Sequence, residues 1–308
     1  MPPITRREFT AAGLAALGAT VLPGVLPAGE AAAPAATPLK LPTVRWGKYD
    51  ISRVLVGHNP IKGTSHFSKE LDREMKEYFT DQNVHARQML RRCEEVGINT
   101  CQMGAPAIEA LLRAHYAEGG KLQWIATFYS APGKGKEELD RILKMDPKPI
   151  GAQHFGATSD RLMREGKIDQ ARDTLKMFRD AGLLVGLCSH NHEVIDYAEN
   201  KGWDVDFYQG SFYHSASCLK PTKPGEVFEE SARKSMVKTL RQVSKPCIAF
   251  KVLGGNRHCA TPAEVEAALR FAFKNIKPTD VVLLGMWHKY KDQAAENAGY
   301  ARKILNVA

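Results

Sequence analysis

The six cysteines, Cys93, Cys101, Cys188, Cys218, Cys247 and Cys259, contain no C-x-x-C pair and no zinc-finger spacing. That excludes dithiol and zinc-ribbon motifs. Cys101, Cys188 and Cys247 fall in predicted strands, where small thiols are ordinarily buried. An envelope location would permit disulfides, but no spacing names a pair. Past the N-terminal stretch the chain also lacks any apolar run near the ~20 residues of a membrane-spanning helix. Dense basic runs with interleaved aromatics are missing too. The formal net charge is +9, yet cations and acids alternate, as in Lys69-Glu70-Leu71-Asp72-Arg73-Glu74. That is the pattern of a solvated surface, not of a nucleic-acid footprint. No Gly-x-Gly-x-x-Gly follows the first strand, where the sequence reads Val56-Gly57-His58-Asn59-Pro60, which argues against a dinucleotide-binding open sheet. No predicted strand ends in Asp or Glu, so paired-carboxylate glycoside chemistry is poorly served.

What is present begins at the N-terminus. Thr5-Arg6-Arg7-Glu8-Phe9 precedes an Ala/Gly/Leu-rich stretch from Ala11 to about Leu26, and Ala28-Gly29-Glu30-Ala31-Ala32-Ala33 follows. Charged head, apolar middle and small-residue exit are the three parts of a secretory signal. The paired arginines resemble the twin-arginine export signal, and Gly13, Gly18, Pro23, Gly24 and Pro27 interrupt the stretch as a membrane anchor would not be. Residues 1–36 are thus expected to be a signal and linker, with the export machinery as partner and the periplasm as destination. The excess positive charge belongs to the mature part, because Arg6 and Arg7 are offset by Glu8 and Glu30.

Residues 41–308 alternate short apolar runs with amphipathic stretches. The strand candidates are Arg53–Gly57, Ile98–Met103, Leu122–Phe128, Pro149–Phe155, Leu183–Ser189, Val205–Gln209, Pro246–Val252 and Val281–Met286. Helical spacing lies between them, as at Ala171, Leu175, Phe178 and Ala181, and Gly97 and Gly182 stand where helix C-caps are needed. Eight βα units in one chain of this length predict a single (β/α)8 barrel. Residues Leu41–Asp50 are expected to form a hairpin plugging its floor.

Active sites of such barrels lie at the C-terminal ends of the strands. Six of the ten histidines, His58, His154, His190, His192, His214 and His288, fall at or just after those ends. Histidine suits acid–base work and metal ligation near neutral pH, so a functional site is expected on that rim. Lys251 shares strand parity with the small Cys247 and Ala249, which would point it into the barrel as a proton donor, anion anchor or nucleophile. The turn Leu253-Gly254-Gly255-Asn256-Arg257 stands where barrels often bind phosphate.

With these landmarks, the stretch from about Val44 to Ala301 resembles the aldo/keto reductase superfamily. The resemblance is carried by Trp46–Val54, by Val96-Gly97-Ile98-Asn99, by Gly186–Asn191 with Asp204–Gln209, by Phe250–Gly255, and by Leu284-Gly285-Met286 through Glu296-Asn297. It implies an oxidoreductase that acts on a sugar or other polar carbonyl or alcohol with NADP(H). Ser189, Asn191, Gln209, Leu253, Gly254, Gly255, Lys289 and Asn297 would hold the cofactor. His154 would be the acid/base, helped by His58 or Tyr129, while Lys251 is the acid/base candidate of the metal-dependent alternative below. Of the family's Asp, Tyr, Lys and His set only the histidine has a counterpart here: Gln102, Gly104-Ala105-Pro106 and Phe128 occupy the other positions. Two alternatives stand beside this reading. One is a lyase, isomerase or hydrolase holding a divalent metal on His58, His154 and His190; the other is a non-catalytic ligand-binding barrel.

Overall fold

The computed structural model describes residues 41–80, 83–214 and 228–306. The export-signal reading of residues 1–36, Cys218 and the loop at 215–227 lie outside the described residues.

The chain enters through a hairpin of β1 (Thr43–Trp46) and β2 (Tyr49–Ser52), turned at Gly47, whose φ of +55° suits glycine. Eight parallel strands then close a barrel: β3 (Val54–Gly57), β4 (Thr100–Met103), β5 (Gln123–Phe128), β6 (Gly151–His154), β7 (Leu184–Ser189), β8 (Phe207–Ser211), β9 (Cys247–Phe250) and β10 (Val281–Gly285). The circle is completed by β10 pairing with β3, Val282 opposite Val54. The helices are α1 (Lys69–Tyr78), α2 (Val84–Glu95), α3 (Pro106–Ala117), α4 (Lys136–Leu143), α5 (Gly156–Arg164), α6 (Ala171–Asp180), α7 (His192–Asn200), α8 (Glu230–Gln242), α9 (Pro262–Asn275) and α10 (Gln293–Ile304). The fold is a (β/α)8 barrel.

Strand alternation builds two cores. Outward residues such as Val56, Trp124, Leu187 and Ala249 pack with the inner faces of the helices. Inward residues at the N-terminal ends, Leu55, Ile125, Phe207 and Ile248, form a second cluster closed from below by Trp46 and Ile51 of the hairpin. Phe207 stacks on Trp46 at 5.3 Å. It has room because its neighbour across the β7–β8 ladder is Gly186, where a Cβ would lie 2.2 Å from the Phe207 ring. With the floor sealed by apolar side chains, the polar inward residues one layer higher face a cavity open at the other end.

The helices follow from their spacing. In α6, Ala171, Thr174, Leu175 and Phe178 are buried, while Lys176 and Asp180 pair on the outer face. Gly182 then takes φ +73°, and the Leu183 amide donates to the Phe178 carbonyl at 3.1 Å, a Schellman-type closure leading into β7. Two helices were not expected. α1 lies between β3 and α2, capped by the Ser68 side chain, which accepts from the Leu71 amide. α5 follows β6 and starts at Gly156 without a side-chain cap.

Candidate active site

A cavity of about 560 Å³ opens at the C-terminal ends of the strands. Its floor is made of amides. Gln102 of β4, Thr127 of β5, Gln153 of β6 and Gln209 of β8 all line it, and all are buried. The Gln102 side-chain amide donates to Thr127 Oγ1, and Gln209 Nε2 reaches Gln102 Oε1 at 3.4 Å. Among the described residues, Gln153 Oε1 and Gln209 Oε1 find no hydrogen-bond partner, nor does Asn297 Oδ1 on the α10 wall. Buried polar atoms without partners are costly, and here they surround a space large enough to hold polar groups.

Two hydrogen-bonded pairs stand above that floor. His58, just after β3, and Tyr129, just after β5, meet with the phenol oxygen 3.1 Å from His58 Nε2. Burial, reinforced by the Lys62 charge, pushes the His58 imidazole down to about 4, so it is neutral at neutral pH. Burial raises the Tyr129 phenol further above neutrality, with the Glu138 carboxylate adding to the effect. The pair shares one proton between Nε2 and the phenol oxygen: with the imidazole in its Nε2–H form, His58 would donate and the phenol proton would be free for an acceptor in the cavity. Tyr129 is held in place by its own backbone: its amide and that of Ser130 donate to the buried Glu138 carboxylate of α4.

The second pair is His190 and Asp160. His190 Nδ1 lies 2.8 Å from Asp160 Oδ2, while Asp160 Oδ1 accepts from Ser189 Oγ at 2.6 Å and from the His190 amide at 3.0 Å. A carboxylate on Nδ1–H fixes the tautomer and leaves Nε2 as the basic nitrogen of a ring that lines the cavity. Phe155 and Gly156 separate the two pairs. Phe155 packs on Tyr129 at 4.6 Å, and a Cβ at Gly156 would come within 3.2 Å of His190 Cε1. Asp160 was absent from the sequence reading because it sits on α5.

The remaining expected residues divide. Gln209, Leu253, Gly255 and Asn297 line the cavity together with His58, Tyr129, His190 and Lys251. His154 does not. It points outward from β6 with no exposed surface, its Nδ1 2.8 Å from Ser159 Oγ, and burial pushes it down to about 4. Ser189 is spent on Asp160, Asn191 caps α7 by accepting from the Glu193 amide, and Lys289 is paired with Glu74 at 2.6 Å. Gly254 stands behind the lining. Of the other rim histidines, His192 opens α7, His214 faces it at 6.5 Å, and His288 sits 3.8 Å from Asp292.

Lys251 reaches the cavity by a route that strand parity did not describe. Cys247 and Ala249 pack outward against the helices, Ile248 faces the barrel interior and Phe250 lines the cavity. The chain then turns through φ +56° at Lys251, and this left-handed step swings the side chain inward, its Nζ 5.5 Å over the Phe228 ring. The expected metal set fails on the same ground of direction. With His154 turned outward, His58, His154 and His190 do not share a centre, and no group of three His, Cys, Asp or Glu among the described residues is placed to hold a metal. The turn at Gly254–Arg257 also differs from the expected phosphate cradle. Arg257 donates to the carbonyls of His66, Gly254 and Gly255, and His258 is bonded to the Tyr213 hydroxyl.

No helix among the described residues is long and apolar enough to cross a membrane. No family model matches the sequence, and no curated protein does. Among solved structures, the chain is similar to the N-acetylmannosamine-6-phosphate 2-epimerase of Clostridium perfringens. The identity is 12%, 83% of this chain and 93% of that chain are covered, and the TM-score is 0.44. It is also similar to a 3-keto-D-glucoside 4-epimerase of E. coli, at 13% identity, 82% and 99% coverage and a TM-score of 0.31. Likeness this distant carries no substrate or mechanism to this chain. The expected kinship is corrected on other grounds: no family model, that of the aldo/keto reductases included, matches the chain. The site agrees with that correction, since Gln102 replaces the acid of the reductase set, Phe128 turns away to pack on Phe178, and His154 lies behind the wall. The aldo/keto reductase resemblance, and the oxidoreductase function drawn from it, are set aside.

Proposed function

We propose that the chain is an acid–base enzyme of the isomerase or lyase type, acting on a small polar substrate that carries a carbonyl group. One observation carries this reading: an oriented base, Asp160–His190, and a buried neutral proton donor, His58–Tyr129, line the same amide-floored cavity. In the step they support, His190 Nε2 takes the proton from a carbon next to the carbonyl. The C–H electron pair becomes the new C=C bond as the carbonyl π pair moves to oxygen, and the Tyr129 phenol donates to that oxygen. Delivery of the proton by His190 to the former carbonyl carbon, while the Tyr129 phenolate takes the proton of the hydroxyl on the neighbouring carbon, completes an isomerisation; departure of a β-substituent, with Tyr129 recovering its proton as the carbonyl reforms, completes an elimination. Asp160 does not change protonation in this scheme, but stabilises the imidazolium as it forms.

The test is solvent exchange. A panel of aldoses, ketoses and sugar acids is incubated with the protein in D2O, and loss of the proton signal next to the carbonyl is followed by NMR. Exchange is expected in the native protein, with a decrease of about 10²–10⁴-fold for His190→Ala. A smaller decrease is expected for Asp160→Asn, which keeps the volume but offers Nδ1 the wrong partner. Absence of exchange across the panel, or exchange that survives His190→Ala, overturns the reading. Residues 1–36 are proposed to act as the export signal, delivering this activity to the periplasm.

A further inference from the structure

The cavity's polar groups are not evenly distributed. The only carboxylate among its described lining residues is Glu296, and it is held by Lys291 at 2.7 Å. Two other lysines line the wall. Lys62 forms no ion pair among the described residues, and its Nζ stands 5.4 Å over the Tyr129 ring, close enough to depress the His58 imidazole. Lys251 is turned inward by its left-handed backbone. Below them, Gln153 Oε1 and Gln209 Oε1 belong to side chains 2% and 3% exposed, and neither has a hydrogen-bond partner among the described residues. Counted over its described lining residues, the space is cationic near its mouth and lined at its base by amides that can take polar partners.

We propose that the ligand is an anionic polyhydroxy compound, such as a sugar acid or a sugar phosphate. Its hydroxyl groups seat on the Gln153 and Gln209 amides, and its carboxylate or phosphate is met by Lys62 and Lys251. Hydroxyls satisfy the amide floor because each can donate to an amide oxygen and accept from an amide nitrogen. An anion between two lysines forms charge-assisted hydrogen bonds in a partly desolvated space. A cationic ligand would meet the same lysines as like charges, and a wholly apolar one would leave the amides unpartnered. This inference rests on the acid–base reading of the same cavity, and it adds the class of molecule on which that chemistry acts.

Titration calorimetry of the full chain tests it with D-gluconate, D-glucose 6-phosphate, D-glucose and D-glucosamine as probes. At least one of the two anions is expected to bind about 10-fold or more tightly than glucose, with an affinity that falls as salt rises. Whichever anion binds better shows whether a carboxylate or a phosphate is preferred. Lys62→Gln combined with Lys251→Asn should erase the preference for anions while weak glucose binding persists. Asparagine is chosen at 251 because it tolerates left-handed backbone. Gln153→Leu should weaken every hydroxylated probe by about 10-fold. The thermal midpoint of Gln153→Leu is recorded to separate lost binding from lost folding, and Gln209→Leu serves as the second floor variant. Glucose or glucosamine binding as tightly as both anions overturns the proposal. So does an anion preference that survives loss of both lysines, or failure of both anions to bind at about 10 mM. The two readings fail separately. Charge-selective binding without solvent exchange removes the chemistry and keeps the ligand class, whereas exchange on neutral sugars with no charge preference does the reverse.

Discussion

His58 and His154 are both pushed down to about 4, chiefly by burial, yet only His58 faces the cavity. In the unfolded chain both take up protons near 6.5, so between pH 6.5 and 4 the unfolded state binds more protons than the folded one. Stability is therefore retained above pH 6.5 and lost as pH falls toward 4, by up to about 3 kcal/mol for each residue. His154→Gln should lower stability at pH 7 by loss of the Ser159 contact, while narrowing the gap between pH 7 and pH 5 by up to about 2 kcal/mol. Urea unfolding at the two pH values measures this, and an unchanged gap would show that His154 does not titrate on unfolding. The residue scale is also where sequence reading was least sufficient. That histidines gather at strand ends is visible in the chain, but which ring turns inward depends on strand parity and on the helix behind it. Asp160 is thirty positions from His190, and nothing local connects them.

Among the elements, those whose ends are marked by glycine were the most legible. Gly182 closes α6 in a left-handed conformation, and Gly182→Ala should destabilise the barrel by about 1 kcal/mol through backbone strain. The buried Phe178 of α6, edge-on to Phe128 at 5.0 Å, should cost about 3–5 kcal/mol when truncated to alanine. Chemical denaturation of the two variants separates strain from packing by magnitude, and a Gly182→Ala cost equal to that of Phe178→Ala would contradict this account. α1 carries a readable start in Ser68, with Glu70 and Asp72 in its first turn. α5 carries none: Phe155 precedes it, and Gly156, Ala157, Thr158 and Ser159 open it without a cap bond. It forms because Ser159, Asp160 and Leu162 are buried against the barrel wall, a tertiary cause that leaves little local signature. Missing α5 meant missing the carboxylate that makes His190 a directed base.

At the scale of the whole molecule, the hairpin seals one end of the barrel and the cavity opens at the other, the face that carries both hydrogen-bonded pairs. Export is tested at this scale as well. Arg6→Lys with Arg7→Lys should leave the chain in the cytoplasm, as read by immunoblot of cell fractions, whereas unchanged export would remove the twin-arginine reading. The amino-acid sequence by itself determined the eight-fold alternation, the floor-plugging hairpin and the rim on which chemistry had to be sought. Hydrophobic periodicity and glycine caps act over a few residues and can be read without a partner. Only the tertiary structure decided that His154 turns behind the wall and that Lys251 swings inward through a left-handed turn. It also brought Asp160 from an unmarked helix to the Nδ1 of His190. Such contacts depend on side-chain direction and on elements far apart in the chain, and barrel closure is what brings them together.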